Sequence, residues 1–193
     1  MSHFTTIKTE IRDLETCKSA LKELGLDVEA TGYCRYWGGK KYKENVVRLP
    51  GQYDMSLELQ KNGAYFISAD FEGDVEKTIG NKGGRLLQEY AKKEFQKTCK
   101  KMHLSISPNP KEPNSFKVKY PKDASSGHMI VSFDEAGNVD FKPKGIKGKK
   151  CTKFLGLEEA LGKVAHREFL PEYYRETEKE RTKTERVRER VRI

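Results

Sequence analysis

A run of lysines in the C-terminal third is the clearest feature of this sequence that could bind a ligand. The segment 142–153 contains six lysines and no acidic residue. Because the run leads into a predicted helix beginning near Thr152, its charges would add to the partial positive charge of free helix amides. An anionic ligand or partner is one interpretation, and a solvated turn is the other. The lysines are Lys142, Lys144, Lys147, Lys149, Lys150 and Lys153.

The same run does not have the spacing of a nucleotide phosphate loop. A Walker-type loop has four residues between its glycines and a Lys-Ser or Lys-Thr directly after the second. Here only Ile146 and Lys147 separate Gly145 from Gly148. The segment therefore predicts a general anion-favouring corner and not a nucleotide site.

The end of the chain is also basic. Residues 181–193 contain six basic residues against Glu185 and Glu189, and the whole chain carries a formal charge of +9. Such an excess attracts polyanions, although charged tails also serve solubility alone. Val187 and Val191 are too few for a long coiled-coil seam, so a charged helix is expected. The predicted nucleic-acid contacts here are Arg186, Arg188, Arg190 and Arg192.

Aromatic residues alternate with basic ones between positions 33 and 43. This pattern is typical of a surface that stacks on bases and contacts phosphates. The alternative is that the rings pack beneath a loop covered by lysines. Four aromatic residues are involved, and the predicted nucleic-acid contacts among the residues of this segment are Arg35, Trp37, Lys40 and Lys41.

A glycine-rich stretch, Ile79 to Leu86, resembles the Gly-x-x-Gly clamp that KH modules place on a nucleic-acid backbone. Lys82 and Arg85 would then contact phosphates. A KH module also has a full helix before the clamp, whereas residues 73–78 allow about one turn. A loop leading into a helix is the competing interpretation.

No residue spacing predicts catalysis or metal binding. The four histidines are scattered, and the four cysteines form no Cys-x-x-Cys pair, so reduced thiols are expected. We therefore expect a non-enzyme without a cofactor, although distant residues could converge in the fold. The histidines are His3, His103, His128 and His166, and the cysteines are Cys17, Cys34, Cys99 and Cys151.

The periodicity predicts the elements that would position these groups. A strand over 3–11 places Phe4, Thr6, Lys8 and Glu10 on one face, and a helix follows from about Arg12 to Gly25. The region 26–43 combines a possible strand at its start with an exposed loop near Trp37. Alternating residues on both sides of Asn62-Gly63 predict an antiparallel hairpin over 54–71.

A second helix begins near Gly84, and strand candidates follow at 104–106 and 116–120. Residues 121–127 have the composition of a linker between a first domain, 1–120, and a second unit, 128–172. In the second unit two strands precede a helix on which Phe154, Leu157, Leu161 and Val164 share a face. The expected fold is α+β: an antiparallel sheet with two packed helices, then a small ββα unit and a charged helical tail over 173–193.

The hydropathy pattern argues against a membrane location. Hydrophobic residues make up 35% of the chain, and no apolar run approaches the roughly 18 residues that a membrane-spanning helix needs. The first residues also lack the charged and apolar regions of a signal peptide. The expected location is cytoplasmic, or the plastid stroma for a plastid-encoded chain.

Two stretches resemble known families. The opening 1–14, the segment 24–29, the strand 64–71 and the helical 86–91 resemble the hypothetical chloroplast reading frame thirty-five family, over residues 1–105. The segments 131–139, 145–151, 157–162 and 171–174 are similar to a second small family of unknown function, over residues 128–174. The chain thus resembles a fusion of the two, and residues 72–77 depart from the first family's pattern.

The resemblance implies an accessory role in an assembly, because genes of these families can neighbour AAA+ ATPases and small ferredoxins. It supplies no catalytic residues. The leading hypothesis is a non-catalytic adaptor that docks on another protein, such as an AAA+ ATPase, through its second unit and basic tail. The alternative is a nucleic-acid-binding protein that uses the lysine run and the tail arginines.

Overall fold

The computed structural model describes residues 3–120, 127–146 and 155–169, which form ten strands and four α-helices. The strands make two antiparallel sheets, and this confirms the predicted α+β class. In chain order the elements are β1 (His3–Thr9), α1 (Leu14–Glu23), β2 (Val28–Tyr36), β3 (Gly39–Val47), β4 (Met55–Leu59), β5 (Tyr65–Ala69), α2 (Asp74–Ile79), α3 (Gly84–Lys101), β6 (Ser105–Pro108), β7 (Ser115–Lys119), β8 (His128–Phe133), β9 (Val139–Lys144), α4 (Leu155–Leu161) and β10 (Gly162–Phe169).

The larger sheet has six strands in the order β10-β1-β9-β8-β7-β6. The first strand of the chain therefore lies between β9 and β10, which come from the predicted second unit. The predicted linker falls between β7 and β8, and these two strands are hydrogen-bonded neighbours. The strands on both sides of the linker thus share one sheet, while residues 121–126 are outside the described part of the chain.

The smaller sheet has the order β2-β3-β4-β5. The hairpin predicted around Asn62-Gly63 is confirmed, with Leu57 opposite Ile67 and Leu59 opposite Tyr65. Gly63 has a positive φ of 79°, the conformation that makes glycine favourable in this turn. The region 26–43, for which the sequence predicted a strand followed by an exposed loop, forms most of a second long hairpin, β2–β3. The turn of this hairpin is at Trp37 and Gly38.

Helix α3 joins the two hydrophobic cores. Its residues Ala91, Phe95 and Cys99 pack in the core under the six-stranded sheet, whereas Leu86 and Tyr90 pack in the core under the four-stranded sheet. The apolar stripe predicted for this helix is therefore confirmed and serves both layers. Helix α1 packs on α3 from the side of the smaller sheet.

The predicted last helix is shorter than expected. Leu157 and Leu161 are buried as a helical face, and α4 packs on α3. Val164 does not continue this face, because Gly162–Phe169 forms strand β10 and places Val164 opposite Ile7 on β1. The free edge of β1 supplies the backbone partners that favour this strand. Phe154 and the tail 173–193 lie outside the described residues.

Within the described ranges no helix is long and apolar enough to cross a membrane.

Candidate nucleic-acid interface

The six-stranded sheet has one face covered by described helices and one, the open face, that no described helix covers. Its inner side chains, among them Ile7, Val131 and Phe141, pack with residues of α3 and α4 in one core. On β1 the outer residues are Phe4, Thr6 and Lys8, which share a face because side chains alternate along a strand; Glu10 lies beyond the end of this strand. Among the described helices, α3 and α4 pack on the inner face only.

Strand register brings lysines from distant parts of the sequence together on this outer face. Lys142 on β9 lies opposite Ile130 on β8, and Ile130 lies opposite Lys117 on β7. One row further along the sheet, Lys144 lies opposite His128. Directly opposed residues share a face, and adjacent strands are only about 4.8 Å apart. Four lysines, Lys117, Lys119, Lys142 and Lys144, consequently surround Ile130 and His128.

The pKa of His128 reflects the positive charge of this lysine cluster. Burial lowers the pKa of its imidazole below the ordinary value, and the charges of Lys117, Lys119 and Lys144 lower it further. Like charges disfavour the protonated form of a histidine. The three lysines therefore make the potential at His128 more positive.

The four lysines of the cluster have no carboxylate within 4 Å in residues 3–120, 127–146 and 155–169. Some other lysines do have such a partner, for example Lys43 with Glu58 at 2.8 Å and Lys163 with Glu10 at 2.9 Å. The acid on the neighbouring row, Asp140, accepts a hydrogen bond from the Thr6 hydroxyl at 2.6 Å. Within the described residues the cluster therefore has four positive charges without an ion-pair partner, and Asp140 is the acid on the neighbouring row.

An aromatic ring adjoins the cluster. Thr5 pairs with Phe141, so Phe4 on the outer face lies beside Lys142, whose Nζ is 5.7 Å from the ring centroid. The ring of His166 on β10 lies 6.3 Å from the same ring. A half-buried Phe4 and a buried Ile130 thus alternate with Lys142 and Lys117 across the sheet.

The lysine run predicted from the sequence is only partly described. Lys142 and Lys144 are exposed members of the cluster on β9. The remaining predicted contacts of the run and of the tail lie outside the described residues; these are Lys147, Lys149, Lys150 and Lys153, and Arg186, Arg188, Arg190 and Arg192.

Arg35 has an internal partner that the sequence did not indicate. Its Nε and Nη2 donate to the two carboxylate oxygens of Asp54 at 2.8 and 2.6 Å. Arg48 donates to the same carboxylate at 2.9 Å and also pairs with Glu29. Arg35 therefore links β2 to the start of β4, and its guanidinium is paired with a carboxylate of the protein itself.

The other candidates of the β2–β3 hairpin are exposed. Trp37 is 81% exposed, Tyr33 is 61% exposed and Tyr42 is 63% exposed, and the two tyrosine rings meet edge to face at 5.4 Å. Only Tyr36 packs beneath the hairpin, with its hydroxyl 3.0 Å from Ser56 Oγ. Lys40 and Lys41 are exposed beside these rings.

The glycine-rich stretch before α3 makes close packing contacts. A Cβ on Gly84 would lie 2.3 Å from the carbonyl oxygen of Glu135, and one on Gly83 would lie 2.7 Å from Ile67. Lys82 and Arg85 are exposed on either side of these glycines. The preceding helix α2 has six residues, so the loop interpretation fits better than a KH clamp.

The described cysteines do not support thiol chemistry. Cys17, Cys34 and Cys99 are free and buried, in agreement with the predicted reduced thiols, and Cys151 lies outside the described residues. Burial raises the pKa of Cys17 and Cys99 to about 12, so neither forms a thiolate nucleophile near neutral pH. Over the described positions no group of three His, Cys, Asp or Glu residues could hold a metal ion.

Sequence reasoning missed Lys117, Lys119, His128 and Phe4 as members of a site. The alternation in Phe116-Lys-Val-Lys-Tyr would have placed Lys117 and Lys119 on one face of a strand. No local pattern shows that this strand shares a sheet with β9.

Part of the chain is similar to a known protein family. Residues 131–174 match a family described as a protein of unknown function (DUF2997). This confirms the predicted similarity of the second unit to a family of unknown function; the matched range includes β9, α4 and β10. Neither the curated proteins nor the solved structures give a match.

Proposed function

We propose that this protein binds nucleic acid, without a catalytic role, through the outer face of its six-stranded sheet. The observation that carries the proposal is the convergence of Lys117, Lys119, Lys142 and Lys144, without carboxylate partners in the described residues, on a face that no described helix covers. The net charge of +9 supports it, because a basic protein attracts polyanions over a longer range than the contact itself.

Lysine contacts to phosphates make a testable signature. Each phosphate that a lysine neutralises releases counterions, so the logarithm of the binding constant falls with the logarithm of salt by about 0.7 to 0.9 per contact. The four lysines of the cluster would therefore give a slope of roughly −3. A partner recognised by apolar contacts would show a much smaller slope.

The decisive experiment is charge reversal on the open face. Lys117→Glu combined with Lys142→Glu should weaken the binding of a labelled oligonucleotide at low salt by at least about tenfold, and should reduce the salt slope by about 2. Fluorescence anisotropy during a salt titration measures both quantities. The two lysines lie on strands separated by β8, so the variant tests the face as a surface.

A matched control carries the same change of charge elsewhere. Lys22→Glu combined with Lys61→Glu alters two exposed lysines, at the end of α1 and in the β4–β5 turn. This control should retain affinity within about threefold, since distant charges act mainly through the screened net charge. Equal weakening by both variants, or no binding of any oligonucleotide to the wild-type protein at low salt, would refute the proposal.

A second candidate function is the accessory role of a protein adaptor. The observation that favours it is the β2–β3 hairpin, because Trp37, Tyr33 and Tyr42 are large exposed side chains of the types enriched at protein interfaces. The resemblance of residues 1–105 to the hypothetical chloroplast reading frame thirty-five family supports the same role, with an AAA+ ATPase as a partner. A cytoplasmic or stromal location suits both functions.

The adaptor hypothesis makes a different prediction for mutants. Trp37→Ser combined with Tyr42→Ser should abolish the capture of a protein partner by the immobilised full chain and leave oligonucleotide binding intact. The lysine reversals should have the converse effect. If the variant with both hairpin changes still captures a protein partner, the hairpin is not the docking surface.

A further inference from the structure

We infer that the ligand of the open sheet face is a single strand and that one of its bases stacks on Phe4, an inference that rests on the proposed function. Phe4 is the aromatic ring that the register places directly beside the lysine cluster, on the outer side of β1. A base on this ring and phosphates on the neighbouring lysines would share one ligand. The geometry therefore offers the two contacts that single-stranded nucleic acid requires.

The lysines lie within reach of a strand that passes over Phe4. Lys142 already contacts the ring, with its ammonium 5.7 Å from the centroid. Beyond Lys142, the same row of the sheet continues through Ile130 to Lys117 and then Ser107. A cation held over an aromatic ring in water is stabilised only weakly, so a base can take the ring face while Lys142 turns to a phosphate.

The aromatic contact separates single strands from other polyanions. In a duplex the bases are stacked on one another and present only their edges in the grooves, so a duplex would use the lysines but not the ring. Polyphosphate carries the charge without any base. Phe4 should therefore contribute to single-strand binding alone, whereas the lysine cluster should contribute to all three ligands.

The experiment compares Phe4→Leu with the wild-type full chain against a labelled single-stranded dodecamer, a duplex of the same length and polyphosphate. Leucine keeps an apolar side chain at the half-buried position and removes the aromatic ring. We expect single-strand affinity to fall about tenfold, while affinity for the duplex and for polyphosphate changes less than about twofold. Phe4→Trp should restore single-strand affinity.

The matched control is Phe66→Leu, which removes an aromatic ring that is 58% exposed on the four-stranded sheet. It should leave all three affinities unchanged. Unchanged single-strand affinity in Phe4→Leu would overturn the stacking inference, even if binding that depends on the lysines persisted. Absence of binding to all three ligands by the wild-type protein would instead refute the proposed function.

Tryptophan fluorescence tests the same inference if Phe4→Leu does not fold. The single native tryptophan is Trp37, so Trp37→Phe combined with Phe4→Trp leaves one reporter on the sheet face. Stacking predicts that the single strand quenches its emission and that polyphosphate does not. Equal quenching by both ligands, or none by the single strand, would contradict the inference.

Discussion

Asp54 is the buried charge on which the β2–β3 hairpin depends, and replacing it with asparagine tests how that hairpin is held. The carboxylate is fully buried and accepts hydrogen bonds from Arg35, from Arg48 and from the backbone nitrogen of Arg35 at 3.0 Å. Burial alone would raise the pKa of Asp54, but these donors outweigh it and lower the pKa to about 2. Asp54→Asn keeps the shape of the side chain and removes its charge.

The expected loss of stability in Asp54→Asn follows from the pKa of Asp54. A decrease of the pKa from its ordinary value of 3.8 to about 2 corresponds to about 2.4 kcal/mol of stability in favour of the ionised, folded form. Because the folded pKa is below the unfolded one, this stability is fully present above about pH 5 and is lost as the pH falls towards 2. Asp54→Asn should therefore lower the free energy of unfolding by about 2 to 4 kcal/mol at neutral pH.

Urea unfolding followed by circular dichroism measures this difference at several pH values. The gap between wild type and Asp54→Asn should shrink to about half by pH 3. Glu58→Gln is the matched control, since Glu58 pairs with Lys43 at a partly exposed position and should cost less than about 1 kcal/mol. A loss below 1 kcal/mol at pH 7, or a gap that is the same at pH 3, would refute the assignment of Asp54 as the ionic anchor.

Two further predictions concern the open face and the turn behind it. A bound polyanion should offset the lysine charges that disfavour protonated His128, so oligonucleotide affinity should rise as the pH falls from about 7.5 to 5.5. His128→Asn should reduce this dependence. A flat profile in the wild type would contradict the placement of phosphates near His128. Gly137→Ala should lower the free energy of unfolding by roughly 1 to 3 kcal/mol more than Gly63→Ala, because both glycines have a positive φ but only at Gly137 would a Cβ lie 2.4 Å from Leu87. Equal losses in the two alanine variants, measured by urea unfolding, would show that the contact with Leu87 is unimportant.

The elements that the sequence predicted are those specified by nearby residues. The β4–β5 hairpin has alternating residues and an Asn62-Gly63 turn, and both signals lie within the hairpin itself. Helices α1 and α3 likewise contain their own apolar stripe. Such signals need no information about the rest of the chain.

The elements that were missed depend on partners far along the sequence. Helical spacing at Leu157 and Leu161 favoured a helix through Val164, but residues 162–169 gain backbone partners on β1 by becoming a strand. The lysine cluster has the same origin, because Lys117 and Lys142 meet only through the pairing of β7, β8 and β9. The ion pair of Arg35 with Asp54 likewise requires β2 to fold back on the start of β4.

The position of β1 between β9 and β10 has a consequence for the synthesis of the chain. Thr6 and Asp140, which are hydrogen-bonded across this pairing, are 134 positions apart. At about 5 to 20 residues per second, a ribosome needs roughly 7 to 27 s to reach Asp140 after Thr6. During that interval the first strand has neither of its neighbours, so the nascent chain exposes an unpaired edge that a chaperone can recognise.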